Sequence, residues 1–109
     1  MMAVRKDRDD LWWMALAWED YRYWQQHKPD NVVAINELIE EIRKDPWKGK
    51  GKPEPLKGNL TGWWSRRITI ADRLVYRLFD LPKPRKGQVK PEMTTVIQIA
   101  QCRYHYGRK

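Results

Sequence analysis

The sequence predicts an α+β fold in which two N-terminal helices pack on one face of a small antiparallel sheet. Two helical stripes and a change of period carry this reading. Ala17, Trp18, Tyr21 and Trp24 recur at helical spacing, as do Ile35, Leu38, Ile39 and Ile42. Beyond Gly62 the period drops to two, with Leu74, Tyr76 and Leu78 alternating with Arg73, Val75, Arg77 and Phe79. Helices followed by a run of strands, rather than strict alternation of the two, indicate an α+β layer arrangement.

In chain order, residues 1–10 are polar and charged and read as a disordered or frayed extension. Leu11 to Leu16 is an apolar run too short for a helix and reads as a strand. The first helix follows, with Glu19, Asp20, Arg22 and Gln25 turned off its apolar stripe, and Lys28-Pro29-Asp30 ends it. The second helix spans about 31–44, with Asp30 as its cap and Arg43 and Lys44 at its C-terminal end. The short connection makes the two an antiparallel hairpin. Residues 45–62 carry Pro46, Gly49, Gly51, Pro53, Pro55, Gly58 and Gly62, and read as a loop. Strands are expected over 63–69, around 73–79 and over 95–106, with a Pro-, Lys- and Gly-rich interruption at 81–93. One domain, residues 11–106, is expected, with a short tail at 107–109.

Composition narrows the partners. The 109 residues hold 22 Lys and Arg against 14 Asp and Glu, a formal net charge of +8, which favours polyanions. Seven tryptophans in so small a chain belong mostly to the core. The lone cysteine, Cys102, excludes an internal disulfide and a thiolate metal cluster. His27 and His105 show no metal-ligand spacing. No apolar run is long enough to span a membrane, and the charged start lacks the apolar segment of a secretion signal. A reducing cytoplasm is the simplest setting.

The candidate chemistry is on a phosphodiester. Cleavage of RNA by its own 2′-hydroxyl needs a base, an acid and cations for the phosphoryl charge. Glu54, among Lys48, Lys50, Lys52 and Lys57 on a proline-stiffened loop, is a candidate base, with an ordinary exposed loop glutamate in a salt bridge as the alternative. Arg67 and Arg73 lie on strands joined by a short turn and could grip one phosphate together, with Lys57 adding charge. Solvated sheet-edge positions suit Arg66 and Arg77 better than that pair. His105 is a candidate acid, with a terminal-strand histidine bonded to backbone as the alternative. Tyr106 could stack on a base, bond a phosphate or close the core. His27 reads as a surface residue.

Trp18-Glu19-Asp20-Tyr21-Arg22-Tyr23-Trp24-Gln25 resembles the first helix of YoeB/Txe toxins of the RelE superfamily, and Ile35-Asn36-Glu37-Leu38-Ile39 their second. Gly49-Lys50-Gly51-Lys52-Pro53-Glu54-Pro55-Leu56-Lys57 resembles their signature loop. Gly62-Trp63-Trp64-Ser65-Arg66-Arg67-Ile68, Arg73-Leu74-Val75-Tyr76 and Cys102-Arg103-Tyr104-His105-Tyr106 continue the resemblance. It implies a small twisted antiparallel sheet with two N-terminal helices, as in microbial RNases. It implies a ribosome-dependent, metal-independent endoribonuclease that cuts mRNA in the ribosomal A site, uses no cofactor and is held inactive by a YefM-type antitoxin. Operator DNA would be met only through that antitoxin, and homodimerisation stays open. By position, the resemblance makes Glu54 the general base, His105 the general acid, Arg73 the phosphate-stabilising arginine and Tyr106 a supporting tyrosine. Lys57 and Arg67 line the same site, and Lys50 and Lys52 are expected to add RNA contacts. The chain departs from the family pattern in a longer 81–94 segment bearing Lys83, Arg85, Lys86 and Lys90, in Gly107-Arg108-Lys109, and in residues 1–10. The rival reading is a non-catalytic module that docks on the ribosome or acts with an antitoxin as a DNA-bound corepressor.

Overall fold

The computed structural model describes residues 4–8, 10–83, 87 and 92–105. Strand β1 (Val4–Arg8) pairs antiparallel with β2 (Leu11–Met14), and helices α1 (Ala15–His27) and α2 (Pro29–Lys44) follow. Next come β3 (Glu54–Pro55), β4 (Trp64–Arg67), β5 (Arg73–Lys83) and β6 (Glu92–Gln101). The strands form one sheet in the order β1-β2-β6-β5-β4-β3. All neighbours are antiparallel except β2 and β6, which are joined through the two helices and the other three strands rather than by a tight hairpin.

The expected α+β arrangement is therefore present, with a mixed rather than wholly antiparallel sheet. The helices turn Ala17, Trp24, Ile35, Leu38, Ile39 and Ile42 onto one sheet face, where Leu74, Tyr76, Ile97 and Ile99 meet them. Those strand residues alternate with the ones on the opposite face, so the helices cover only one side.

Several boundaries differ from the sequence reading. Residues 4–8 form an edge strand instead of a frayed extension; charged side chains are a normal composition for an edge, which must resist pairing with other chains. Pro29 opens α2, where its missing N–H costs nothing, so Lys28 is the N-cap and Asp30 falls in the first turn without capping. Within the expected loop, Glu54 and Pro55 pair with Ser65 and Trp64, and 58–60 form a 3-10 turn. The sheet thus gains β1 and β3. The expected interruption at 81–93 is largely ladder: Leu81, Pro82 and Lys83 pair with Thr94, Met93 and Glu92. Lys83's side chain, together with Arg85, Lys86 and Lys90, lies outside what is described.

One glycine is demanded by both conformation and space. Gly51 has φ +89, and an added Cβ would sit 2.9 Å from Leu38 Cδ2 and 3.0 Å from Arg66 Cβ. Its carbonyl accepts the Arg67 N–H at 2.7 Å, which ties the loop to β4. Gly51→Ala is expected to cost more than about 1 kcal/mol, since it adds a clash to a left-handed backbone; a urea melt measures it.

Candidate functional site

The face of the sheet turned away from the helices carries the candidate site. Directly paired residues in an antiparallel ladder point to the same side. Glu54 pairs with Ser65, Ser65 with Val75, and Val75 with Gln101, so these form one row across β3, β4, β5 and β6. Arg67 pairs with Arg73 in the next row. Leu74 and Tyr76 point into the helix-side core, which places Arg73 and Val75 on the open side. Glu54, Arg67 and Arg73 therefore share one face. From strand spacing and rise, the Glu54 and Arg73 Cα atoms lie about 12 Å apart, a gap that two long side chains and a phosphate can fill.

Arg73 is the better ordered of the two arginines. It is 7% exposed, and its Nη1 donates to the carbonyls of Thr69, Ile70 and Asp72 at 2.9, 3.0 and 3.2 Å. These bonds wrap the β4–β5 turn around the guanidinium. Its Nε and Nη2 hold no hydrogen bond among the described residues, leaving the two donors that a phosphate takes in a fork. Arg67 is exposed beside it.

His105 reaches this region on a hooked tail. The Arg73 N–H donates to the Tyr104 carbonyl at 2.8 Å, and the Tyr104 N–H donates to Asp72 Oδ1 at 2.7 Å. Gln101 Nε2 donates to the carbonyls of Arg103 and His105, both at 2.9 Å. Tyr104 takes φ 65, a costly conformation for a bulky side chain, and this net of bonds holds it there. On the helix side, Trp24 Nε1 donates to the Cys102 carbonyl at 2.7 Å and buried Asp20 accepts the Cys102 N–H at 3.0 Å. The Arg103 guanidinium lies 3.5 Å over the Tyr23 ring, and Tyr23 in turn stacks on exposed His27. His105 is exposed at the end of this hook.

Asp72 joins the turn to the tail, since its other oxygen accepts the Thr69 hydroxyl at 2.9 Å. Asp72→Ala removes a charged acceptor from the Tyr104 amide. Hydrogen exchange at that amide is expected to rise roughly tenfold, given the strength of bonds to charged groups.

The remaining expected residues divide. Lys52 and Lys57 are exposed on the Glu54 segment. Lys50 bonds Glu37 of α2 at 2.5 Å; the carboxylate's hydrogen bond and charge raise its pKa, and the pair ties the loop to the helix. Tyr106 lies outside the described residues.

Arg66 and Asp20 were misjudged from sequence. Arg66 is fully buried rather than solvated at a sheet edge. It donates to the carbonyls of Asp45, Lys48 and Lys50 at 2.6, 3.0 and 2.9 Å and to the Tyr76 hydroxyl at 3.1 Å. It thereby fixes the loop leading to Glu54. Asp20 sits on the buried side of α1 rather than off it. Its spacing from Ala17 and Trp24, three before and four after, was the available signal.

Residues 13–106 match the family model described as "YoeB-like toxin of bacterial type II toxin-antitoxin system". The chain is 48% identical over 96 residues to Toxin YoeB of Escherichia coli (strain K12), covering 88% of this chain and 98% of that protein. A solved YoeB/ParE toxin from Agrobacterium tumefaciens superposes with TM-score 0.73 at 40% identity, covering 89% of this chain and 99% of that one. The toxin fold in a YoeB-YefM complex from Staphylococcus aureus gives TM-score 0.69 at 40% identity, covering 91% and 99%.

Proposed function

Because the chain belongs to the YoeB-like toxin family of bacterial type II toxin–antitoxin systems, we propose that it is a ribosome-dependent endoribonuclease that cuts mRNA in the ribosomal A site. The observation that carries this reading is the open sheet face on which Glu54, Arg67 and Arg73 stand beside the hooked tail bearing His105.

In the proposed reaction Glu54 accepts the proton of the 2′-hydroxyl, and O2′ attacks the adjacent phosphorus. The bond from phosphorus to the 5′-oxygen of the next nucleotide breaks, and His105 protonates that oxygen as it leaves. The products are a 2′,3′-cyclic phosphate and a 5′-hydroxyl. Arg73 donates through Nε and Nη2 to the phosphoryl oxygens, where charge accumulates, with Arg67 alongside. Lys52 and Lys57 draw the RNA toward Glu54. Tyr106 supports the same site, and no metal or cofactor enters. Translation stops because the cut falls within the decoding ribosome.

The solved Staphylococcus aureus complex pairs its toxin with YefM, and a YefM-type antitoxin is accordingly the proposed inhibitor here. Contact with operator DNA would come only through that antitoxin. The domain is proposed to comprise residues 11–106. The deciding experiment adds purified protein to a translating extract and maps mRNA by primer extension. The reading expects cuts in translated mRNA and none when ribosomes are omitted. Arrested ribosomes on intact mRNA would establish the rival binding module.

A further inference from the structure

Arg77 was expected to be a solvated sheet-edge residue, yet β5 lies inside the sheet with β4 and β6 on either side. It shares the open face with Arg73, two alternations further along the strand, about 13 Å away at Cα. Its guanidinium carbon lies 4.7 Å over the Trp63 ring and 5.7 Å from the Phe79 ring. Its Nε donates at 2.7 Å to Oε1 of Gln98, a side chain only 7% exposed. Arg77 itself is exposed, and among the described residues no carboxylate pairs with it and its Nη1 and Nη2 hold no hydrogen bond. An arginine fixed by two rings and an amide, with its terminal donors open, has already lost much of the rotamer freedom that binding would otherwise remove.

The register gives the placement its meaning. The Glu54–Ser65–Val75–Gln101 row lies between the Arg67–Arg73 row and the Arg77–Gln98 row. A strand whose scissile linkage sits at Glu54 and Arg73 has to leave the site over one of its sides, and Arg77 stands on one of them. We propose that Arg77 binds a phosphate of the same single-stranded RNA, outside the bond that is cut, and so extends the RNA track along β5. The net charge of +8 and continuity with the candidate site favour RNA as the occupant over a protein segment. This inference rests on RNA being the substrate.

The test uses His105→Gln protein, which leaves RNA uncut, and a fluorescein-labelled single-stranded RNA. Adding Arg77→Ala is expected to weaken binding roughly tenfold at low salt, the scale of a charge-assisted bond. The slope of log K against log salt is expected to flatten by about 0.7, one phosphate's share for a single strand. Arg77→Lys keeps the slope and loses part of the affinity, since it keeps the charge without the fork. With His105 restored, the Arg77→Ala defect in translating extract falls on KM rather than kcat. An unchanged affinity and slope in Arg77→Ala, while wild-type protein still cuts mRNA, overturns this inference alone. So does a loss confined to antitoxin binding. A wild-type protein that cuts no mRNA overturns the proposed function instead.

Discussion

Replacing His105 by Gln is expected to lower kcat for mRNA cleavage by roughly 10²–10⁴, the usual contribution of a positioned proton donor. Gln keeps a hydrogen-bonding side chain of similar reach but has no proton to give at neutral pH. The 5′-oxygen would then leave as an alkoxide, and the barrier rises by that difference. The fold is expected to stay intact, because His105 is exposed and the bond its backbone carbonyl accepts from Gln101 survives the change. Glu54→Ala is expected to give a loss of the same order, because Glu54 is exposed on β3 and its backbone pairing with Ser65 needs no side chain. Both variants should keep their melting temperature and their affinity for the proposed YefM-type antitoxin. Single-turnover cleavage in a translating extract reads the chemical step directly. A variant that cuts as fast as wild type removes that residue from the reaction.

Arg66→Met is expected to destabilise the fold by about 3–5 kcal/mol, the range for removing one partner from a buried charged network. Methionine fills part of the volume, yet it leaves the Asp45, Lys48 and Lys50 carbonyls without their donor. The Tyr76 hydroxyl also loses the Arg66 bond; burial raises its pKa while Arg66 lowers it, and the hydroxyl proton goes to the Pro46 carbonyl at 2.7 Å. With Arg66 gone, the loop keeps the Gly51 bond to β4, the Tyr76 bond to Pro46 and the Trp47–Trp64 ring contact, but loses its charged clamp. For a domain of this size the melting temperature should fall by roughly 15–25 °C. Arg67→Met, one residue on but exposed, should change stability by about 0.5 kcal/mol or less. Differential scanning calorimetry of the two variants side by side checks the contrast. Equal stability of the pair would mean that Arg66 is not the clamp its bonds describe.

The helices were legible because their apolar stripes are long and uninterrupted: Ile35, Leu38, Ile39 and Ile42 all reach the core. Strand β5 was legible from its alternation. Strand β3 was not, because two residues, one of them a proline and both preceded by Pro53, have no period to read; their pairing with Ser65 and Trp64 is a tertiary outcome. The parallel β2–β6 pair was hidden for the same reason, since eighty or so residues separate the partners. Arg66, Arg67 and Arg73 look alike in sequence, yet strand parity alone sends Arg66 toward the helix side and Arg67 and Arg73 to the open one. That parity reverses with a one-residue shift in register, and no local signal in Trp63-Trp64-Ser65-Arg66-Arg67 fixes it. The candidate residues Glu54, Arg73 and His105 were picked out by type and by resemblance. Their supports, Asp20, Asp72 and Gln101, were not, because each acts on a segment distant in sequence or on the backbone.

The most direct measurement is the chemistry of the ends left by purified protein on mRNA in a translating extract, read by mass spectrometry. Attack by the neighbouring 2′-hydroxyl, with Glu54 and His105 handling the protons, leaves a 2′,3′-cyclic phosphate upstream and a 5′-hydroxyl downstream. A 5′-phosphate on the downstream fragment would mean that water, not the ribose, attacked, and would contradict the account.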